Sequence, residues 1–458
     1  MNERCVRVRV HGVGRCVRPL LVGMFLAVGT TTHAEELGSR RVGWEPRVPV
    51  GKCLTPSGGL LVNERPGQPW QSLDEKDDLH SRDLLLALPG MKAKLATHPL
   101  AVELTLWSNL PGLTEFSGLQ SAVVLHDSRA FDLDFTLHSG RVLVTNRKEK
   151  GTARVWLRVE GEAFLLTLFE PGAAICLGWY SFWPRGVSYN PTPNADHVPA
   201  RTLALVAVKG QVAVKVGGTQ HTLSAPPGPA YFHWDSVNGA EQGSRTRREL
   251  PAWANLDAKP SASAKAVREA IDKYQAVAKD REPRTALYDL LAAAEKERDR
   301  DHAKALAEFA VFGLAAINDI DRVMQALGDA KQADARRAAV VTLRHWIGDA
   351  DGRDQRLHQF LIDRLGYTKP QATTVLQLLH SAFPADDPDT YEILIAYLRH
   401  DKLAVRQLAW SNLSSLAPEG LSSPYDPAGS EAERAKRAAA WKALIPSGTL
   451  PTTKPKKK

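Results

Sequence analysis

Cysteine is scarce in this 458-residue chain, with four copies at positions 5, 16, 53 and 176. No two form a Cys-x-x-Cys pair, so no local pattern marks a thiolate metal cage or a dithiol redox centre. There is no His-Glu-x-x-His run and no Gly-x-Ser-x-Gly elbow, so nothing local nominates a zinc hydrolase or a serine esterase. Beyond residue 34 no segment is long and apolar enough to cross a bilayer, which takes roughly 20 residues. Excess charge is also missing from the body. The formal net charge of +8 sits at the two ends: five Arg against Glu3 before residue 35, and Lys454, Lys456, Lys457 and Lys458 at the close. Between those ends cations and anions balance. Composition therefore gives no basic bias for nucleic acid, and no nucleic-acid partner is expected.

What is present begins with a leader. Arg4, Arg7, Arg9, Arg15 and Arg18 precede an apolar run from Pro19 to Val28, followed by Thr30-Thr-Thr-His-Ala34. A charged start, a short apolar core and a small-residue exit predict a secretory signal cleaved after Ala34, with an uncleaved anchor as the alternative. The chain is then exported, to the periplasm or cell envelope. Cys5 and Cys16 leave with the leader. Cys53 and Cys176 remain in an oxidising compartment, where they either pair as a disulfide or stay as two buried thiols. The basic tail is expected to be disordered, touching anionic envelope surfaces weakly.

From about residue 55 to 235 short apolar runs alternate with polar residues and Gly turns. Phe131, Leu133, Phe135 and Leu137 lead through Gly140 to Arg141-Val-Leu-Val-Thr145. Val155, Leu157 and Val159 lead through Gly161 to Ala163–Phe169. Leu203–Val208 leads through Lys209-Gly210 to Gln211–Val216, and Gly217-Gly218 leads to Gln220–Ser224. Period two with Gly punctuation predicts successive hairpins in a β-sandwich or rolled sheet. Other stretches are Leu60-Leu-Val-Asn-Glu-Arg-Pro-Gly-Gln-Pro-Trp70, Leu79-His-Ser-Arg-Asp83, Leu84–Gly90, Ala93-Lys-Leu95, Ala101–Leu106, and Gly140–Thr145 through Leu168–Gly172. Together they resemble the FecR-like extracytoplasmic domain of bacteria, with Asp83 and Gly90 at its polar turn positions. The resemblance implies an extracytoplasmic β fold and transfers no catalytic residue. Such signal transducers carry an inhibitory cytoplasmic segment before their membrane helix. Only about eighteen residues precede the apolar run here, too few for a folded domain.

Gly178-Trp-Tyr-Ser-Phe-Trp-Pro-Arg-Gly186 is the densest aromatic stretch. Trp179, Tyr180 and Trp183, with Arg185 as a fork of donors, form a candidate binding loop for a sugar face or a partner protein. The plainer alternative is a Trp-rich plug at one end of the β layer. Asp77-Asp-Leu-His80 offers metal-ligand atoms, but a lone acidic loop is ordinarily solvated. Asp349-Ala-Asp-Gly-Arg-Asp354 opens like a calcium loop, yet Phe360 stands at its twelfth position in place of the bidentate acid. No metal site, cofactor or catalytic residue is assigned.

Residues 236–262 read as a linker, after which the period turns helical from 263 to 445. Leu287, Leu290, Leu291 and Ala294 share a face, as do Ala339, Leu343, Trp346 and Ile347. Asp387-Pro388 opens a helix with the stripe Tyr391, Leu394, Ile395 and Leu398. Arg336-Arg-Ala-Ala-Val-Val-Thr-Leu343 echoes Arg406-Gln-Leu-Ala-Trp-Ser-Asn-Leu413 at an offset of 70, or two units of 35. This resembles a degenerate HEAT-type array. The resemblance implies that Arg336 and Arg406 are structural, with Asp401 the loop acid for Arg406. Neither Asp329 nor Asp334 falls at the matching offset from Arg336. A plain helical bundle packed on the β domain is the alternative.

The organisation expected is therefore a signal peptide (1–34), an N-terminal extension (35–54), a FecR-like β domain (55–235), a linker (236–262), a HEAT-like helical domain (263–445) and a basic tail (446–458). The function expected is that of a non-enzymatic, exported binding or scaffold protein. It would recognise a protein partner through the helical face or the aromatic loop. An envelope sensor relaying to a membrane regulator is the first alternative, and a glycan-binding protein the second.

Overall fold

The computed structural model describes residues 47–56, 58–65, 67–108, 110, 119–184, 186–193, 197–240, 245–246, 249–255, 264–418 and 425–444. The expected leader, the extension before residue 47 and the Lys tail lie outside them. From Arg47 onward the chain is one compact unit, β-rich first and then helical.

The strands are β1 (Pro49–Cys53), β2 (Leu60–Asn63), β3 (Gln71–Leu73), β4 (Asp78–His80), β5 (Leu84–Ala87), β6 (Lys92–Thr97), β7 (Val102–Trp107), β8 (Ser121–His126) and β9 (Leu133–Asn146). They continue with β10 (Ala153–Val159), β11 (Glu162–Leu168), β12 (Ala174–Phe182), β13 (Ala200–Val216), β14 (Thr219–Ala225), β15 (Ala230–Asp235), β16 (Gly239–Ala240) and β17 (Arg245–Thr246). They form two layers. The far layer runs β4-β1-β6-β7-β9-β12-β13-β15, with β16 and β17 on β15. The near layer, against the helices, runs β3-β2-β5-β8-β9-β10-β11-β13-β14.

Two strands belong to both layers. β9 pairs with β8 and β10 before Gly140 and with β7 and β12 from Gly140 onward. β13 pairs with β12 and β15 up to Lys209, and with β11 and β14 from Gly210. The ring β9-β10-β11-β13-β12 thereby closes on itself as a five-stranded barrel. Two expected hairpins are corrected here, because Gly140 and Gly210 bend a continuous strand instead of reversing it. Each is a single positive-φ residue (84° and 72°), which kinks a strand and lets it change sheets. Type I′ two-residue hairpins have both central residues at positive φ. That condition holds at Glu160-Gly161 and Gly217-Gly218, which join β10 to β11 and β13 to β14.

Alternation sorts the side chains into three cores. Leu60, Val62, Leu85, Phe135, Leu177, Trp179, Leu205 and Val214 point between the layers. Leu61, Leu86 and Ala122 point from the near layer toward the helices. Trp107, Cys176, Ala204 and Val206 cover the outer face of the far layer, where Trp253 and Ala254 pack on them. The expected linker is thus a strap in its described part. It carries β16, β17 and a 3-10 turn, Ala252–Ala254, whose Trp253 is buried.

The helices are α1 (Ala264–Ala278), α2 (Pro283–Lys296), α3 (Arg300–Ala316), α4 (Ile320–Gly328), α5 (Ala333–Gly348), α6 (Arg353–Asp363), α7 (Lys369–His380), α8 (Pro388–Tyr397), α9 (Leu403–Leu416) and α10 (Glu431–Ala443). Asp387 caps α8 as its sequence implied, accepting from the Asp389 amide. From α1 to α7 consecutive helices pack on one another, as do α8 and α9, while α7 lies against α9 and α10 against α8; α9 also lies against α4 and α5, so the layer turns in on itself. Arg336 and Arg406 occupy equivalent places. Arg336 Nη1 donates to the Asp329 and Ala330 carbonyls at 2.6 and 2.9 Å, and Arg406 Nη1 to those of His400 and Asp401 at 2.7 and 2.8 Å. Each guanidinium satisfies two carbonyls of the turn that leads into its own helix. The part played by Asp401 is corrected accordingly, since Arg406 takes its main-chain oxygen rather than its carboxylate.

The bend at Gly140 gives a sharp test. A Cβ there would lie 2.0 Å from the Gln120 carbonyl oxygen, whereas one at Gly151, with the same φ of 84°, would meet nothing within 4 Å. Gly151→Ala is expected to cost about 1 kcal/mol for its backbone conformation, and Gly140→Ala at least about 3 kcal/mol. Urea unfolding midpoints check this, and equal losses would contradict the close approach.

Candidate functional site

The helices meet the near layer along one side and stand away from it along another, leaving a groove of about 1490 Å³. Its floor is the turn between α3 and α4. Asn318 adopts a positive φ of 64° there, and Asp319 caps α4 by accepting from the Arg322 amide. Three aromatic side chains pin this turn. Trp70 Nε1 donates to the Ile317 carbonyl at 3.2 Å, Trp346 Nε1 to Asn318 Oδ1 at 3.0 Å, and the Tyr288 hydroxyl to Asp319 Oδ2 at 2.5 Å. The β wall presents Leu84 of β5, Val124 of β8 and His138 of β9. The surrounding walls desolvate His138 and push its pKa down.

Six arginines reach the groove: Arg82, Arg284, Arg322, Arg353, Arg356 and Arg364. Three acids, Glu64, Asp319 and Asp321, face them. Two of these acids are already engaged. Glu64 pairs with Arg47 at 3.1 Å and Asp319 with Arg284 at 3.4 Å. Arg353 lies over the Trp346 ring at 5.0 Å and bonds Asp349 at 2.8 Å. Arg322 lies over Tyr288 at 5.3 Å and bonds Gln325 at 2.8 Å, while its buried Nε has no hydrogen-bond partner. Arg356 and Arg364 are exposed on α6. Their guanidinium groups have no carboxylate partner among the described residues. The groove therefore carries an excess of positive charge, and guanidinium groups cover the faces of two of its rings.

The aromatic segment lies elsewhere and acts as the plug. Trp179 is corrected from a binding residue to a core residue: it is 2% exposed between the layers, packed on Trp234 with ring centroids 6.0 Å apart. Tyr180 lies over Gly178, where a Cβ would come within 2.9 Å of its ring. Trp183 Nε1 donates to the Ile347 carbonyl at 3.0 Å, and the Ser181 hydroxyl to that of Gly348 at 2.6 Å. The end of β12 thus caps the last turn of α5. Arg185 lies outside the described residues. Trp183 also packs between His197 and His380, with centroids at 4.7 and 4.8 Å. Both imidazoles approach the buried Asp354, His380 at 3.3 Å and His197 at 3.9 Å.

The remaining candidates are structural. Of the two alternatives for Cys53 and Cys176, the structure has the free, buried thiols and not the bridge. Cys53 points between the layers and Cys176 toward the outer face of the far layer, so a sheet separates them. Asp349–Asp354 is the turn between α5 and α6, with Asp349 held by Arg353 and Asp351 by Arg201 at 2.6 Å. Asp83 is buried and paired with Arg47 at 2.6 Å. Among the described residues no group of three or more His, Cys, Asp or Glu side chains is placed to hold a metal ion. No helix of the described residues is long and apolar enough to cross a membrane.

Sequence reasoning missed the groove because its arginines are spread from position 82 to 364 within a body whose total charge cancels. The one local signal was the spacing of Arg353, Arg356, Phe360 and Arg364, which places them along one stripe of a helix. No protein-family model matches the chain, and neither does any curated protein or solved structure.

The thiol assignment is directly checkable. Burial pushes both thiols above their ordinary pKa, which suppresses the reactive thiolate. In a chain with Cys5 and Cys16 replaced by Ser, a thiol reagent should label neither site natively and both in denaturant without reductant. Labelling of neither in denaturant would mean that they are bridged.

Proposed function

We propose that this chain is a binding protein of the bacterial cell envelope that works by contact rather than by chemistry and holds a protein partner in the groove. The observation that carries the reading is the groove's construction. Its walls come from both halves of the chain, and Trp70, Trp346 and Tyr288 pin its floor. A preformed site loses little entropy on binding. Its volume exceeds the roughly 300–1,000 Å³ of small-molecule pockets, which favours a length of polymer over a metabolite. Export rests on the Arg-led leader, and the envelope setting on the FecR-like pattern over residues 55–235. The helical half is read as a degenerate HEAT-type array, supported by the matching carbonyl contacts of Arg336 and Arg406.

The groove takes over the role first assigned to the helical face and the aromatic loop. The glycan alternative is weakened because sugar stacking needs open ring faces, whereas Trp179 is buried, Trp183 is packed on a helix end, and Arg322 and Arg353 each cover one face of Tyr288 and Trp346. The sensor alternative keeps the same site and adds a membrane-bound recipient.

A photo-crosslinking residue at Gln325, inside the groove, is expected to trap one discrete partner from envelope extracts. The same residue at Val237, which is 79% exposed near β16, is expected not to. Identical products from both positions would contradict the groove as the binding site.

A further inference from the structure

We propose that the occupant of the groove is an acidic, extended stretch of polypeptide whose carboxylates are taken by Arg356 and Arg364. This deepens the binding reading above and rests on it. Charge is the first argument. Six arginines face three acids in the groove; Asp319 is spent on Arg284, Glu64 on Arg47, and Arg353 on Asp349 outside the count, which still leaves more guanidinium groups than carboxylates. The exposed guanidinium groups of Arg356 and Arg364 have no carboxylate partner among the described residues, and Arg322 keeps a buried Nε without one. Carboxylates meet arginine in two-pronged, charge-assisted bonds.

Spacing is the second argument. Arg356 and Arg364 lie eight residues apart, Arg356 within α6 and Arg364 at its C-cap, which is about 12 Å along the axis at 1.5 Å per residue. Two arginines so spaced along the helix suit two separate acids, one to each fork. An extended chain rises about 3.3 Å per residue, so side chains four apart are separated by about 13 Å and point the same way. Acids at positions i and i+4 of an extended segment therefore match the two guanidinium groups. Phe360 lies between them on the helix, and Leu84 and Val124 line the groove from the sheet; all three are only partly buried and suit an apolar residue in the segment.

The test uses the full chain and labelled twelve-residue peptides with Glu at every fourth position and small apolar residues between, read by fluorescence anisotropy. The Glu peptide is expected to bind, with affinity falling as salt rises, and its Gln counterpart to bind at least tenfold more weakly. Arg356→Gln and Arg364→Gln are expected each to weaken the Glu peptide about tenfold. Unchanged urea midpoints would show that these exposed substitutions leave the fold intact. Equal binding of the Gln peptide, no effect of either substitution, or preference for inorganic polyphosphate over the peptide would each overturn the proposal. So would failure of the Glu peptide to bind. A partner still trapped at Gln325 would then show that the groove reading survives and only the acidic occupant fails.

Discussion

Strands β2, β5 and β8 of the near layer are apolar on both faces, and the rest of the molecule follows from that. Leu60 and Val62 of β2 point into the sandwich while Leu61 points out, and β5 repeats the pattern with Leu85 inward and Leu86 outward. A sheet of this kind in water would expose a contiguous apolar face, and here the helices cover it. Tyr274 of α1, Leu287 of α2 and Phe309 of α3 share one core with Leu61, Leu86 and Leu88. Two indole donors fasten the joint. Trp70 caps the end of α3 and Trp183 the end of α5, so at these two helix ends the β half supplies the partner that a buried carbonyl needs. The groove inherits its shape from this attachment, because it opens where the two halves stop touching.

Local pattern made most of the elements legible in the sequence. Leu133, Phe135 and Leu137, and Val155, Leu157 and Val159, all reach the core on the faces their alternation implied. The Gly-Gly and Glu-Gly hairpins formed because two-residue turns carry their own geometry. Gly140 and Gly210 were misleading for a physical reason. A lone glycine between two apolar runs permits either a reversal or a kink, and the choice depends on which neighbouring strands are waiting to pair. That information is non-local. The strap at residues 249–255 was hidden by its polar surroundings, although Leu250 and Trp253 were there to anchor it.

The site was less legible than the fold. A dense run of aromatics such as Trp179–Trp183 signals burial as readily as binding, and here β12 delivers those rings to the sandwich and to a helix end. The pairing of Cys53 with Cys176 turned on the face each strand presents, which alternation within a single strand cannot relate to a distant one. The groove arginines come from the β4–β5 turn, α2, α4 and α6, and only packing brings them together. Neutral overall composition is compatible with a strongly polarised surface, because acids such as Asp349 and Asp351 are drawn into pairs with Arg353 and Arg201.

The central claim is that strands and helices share one cooperative core, which holds the groove walls in fixed relation. Denaturant-dependent hydrogen exchange tests it most directly, since it reports the opening free energy of each segment separately. Amides of β5 and of α3 should merge into a single opening transition at the same denaturant concentration. Exchange of α3 well before β5, with the strands still protected, would show two independent domains and contradict the account.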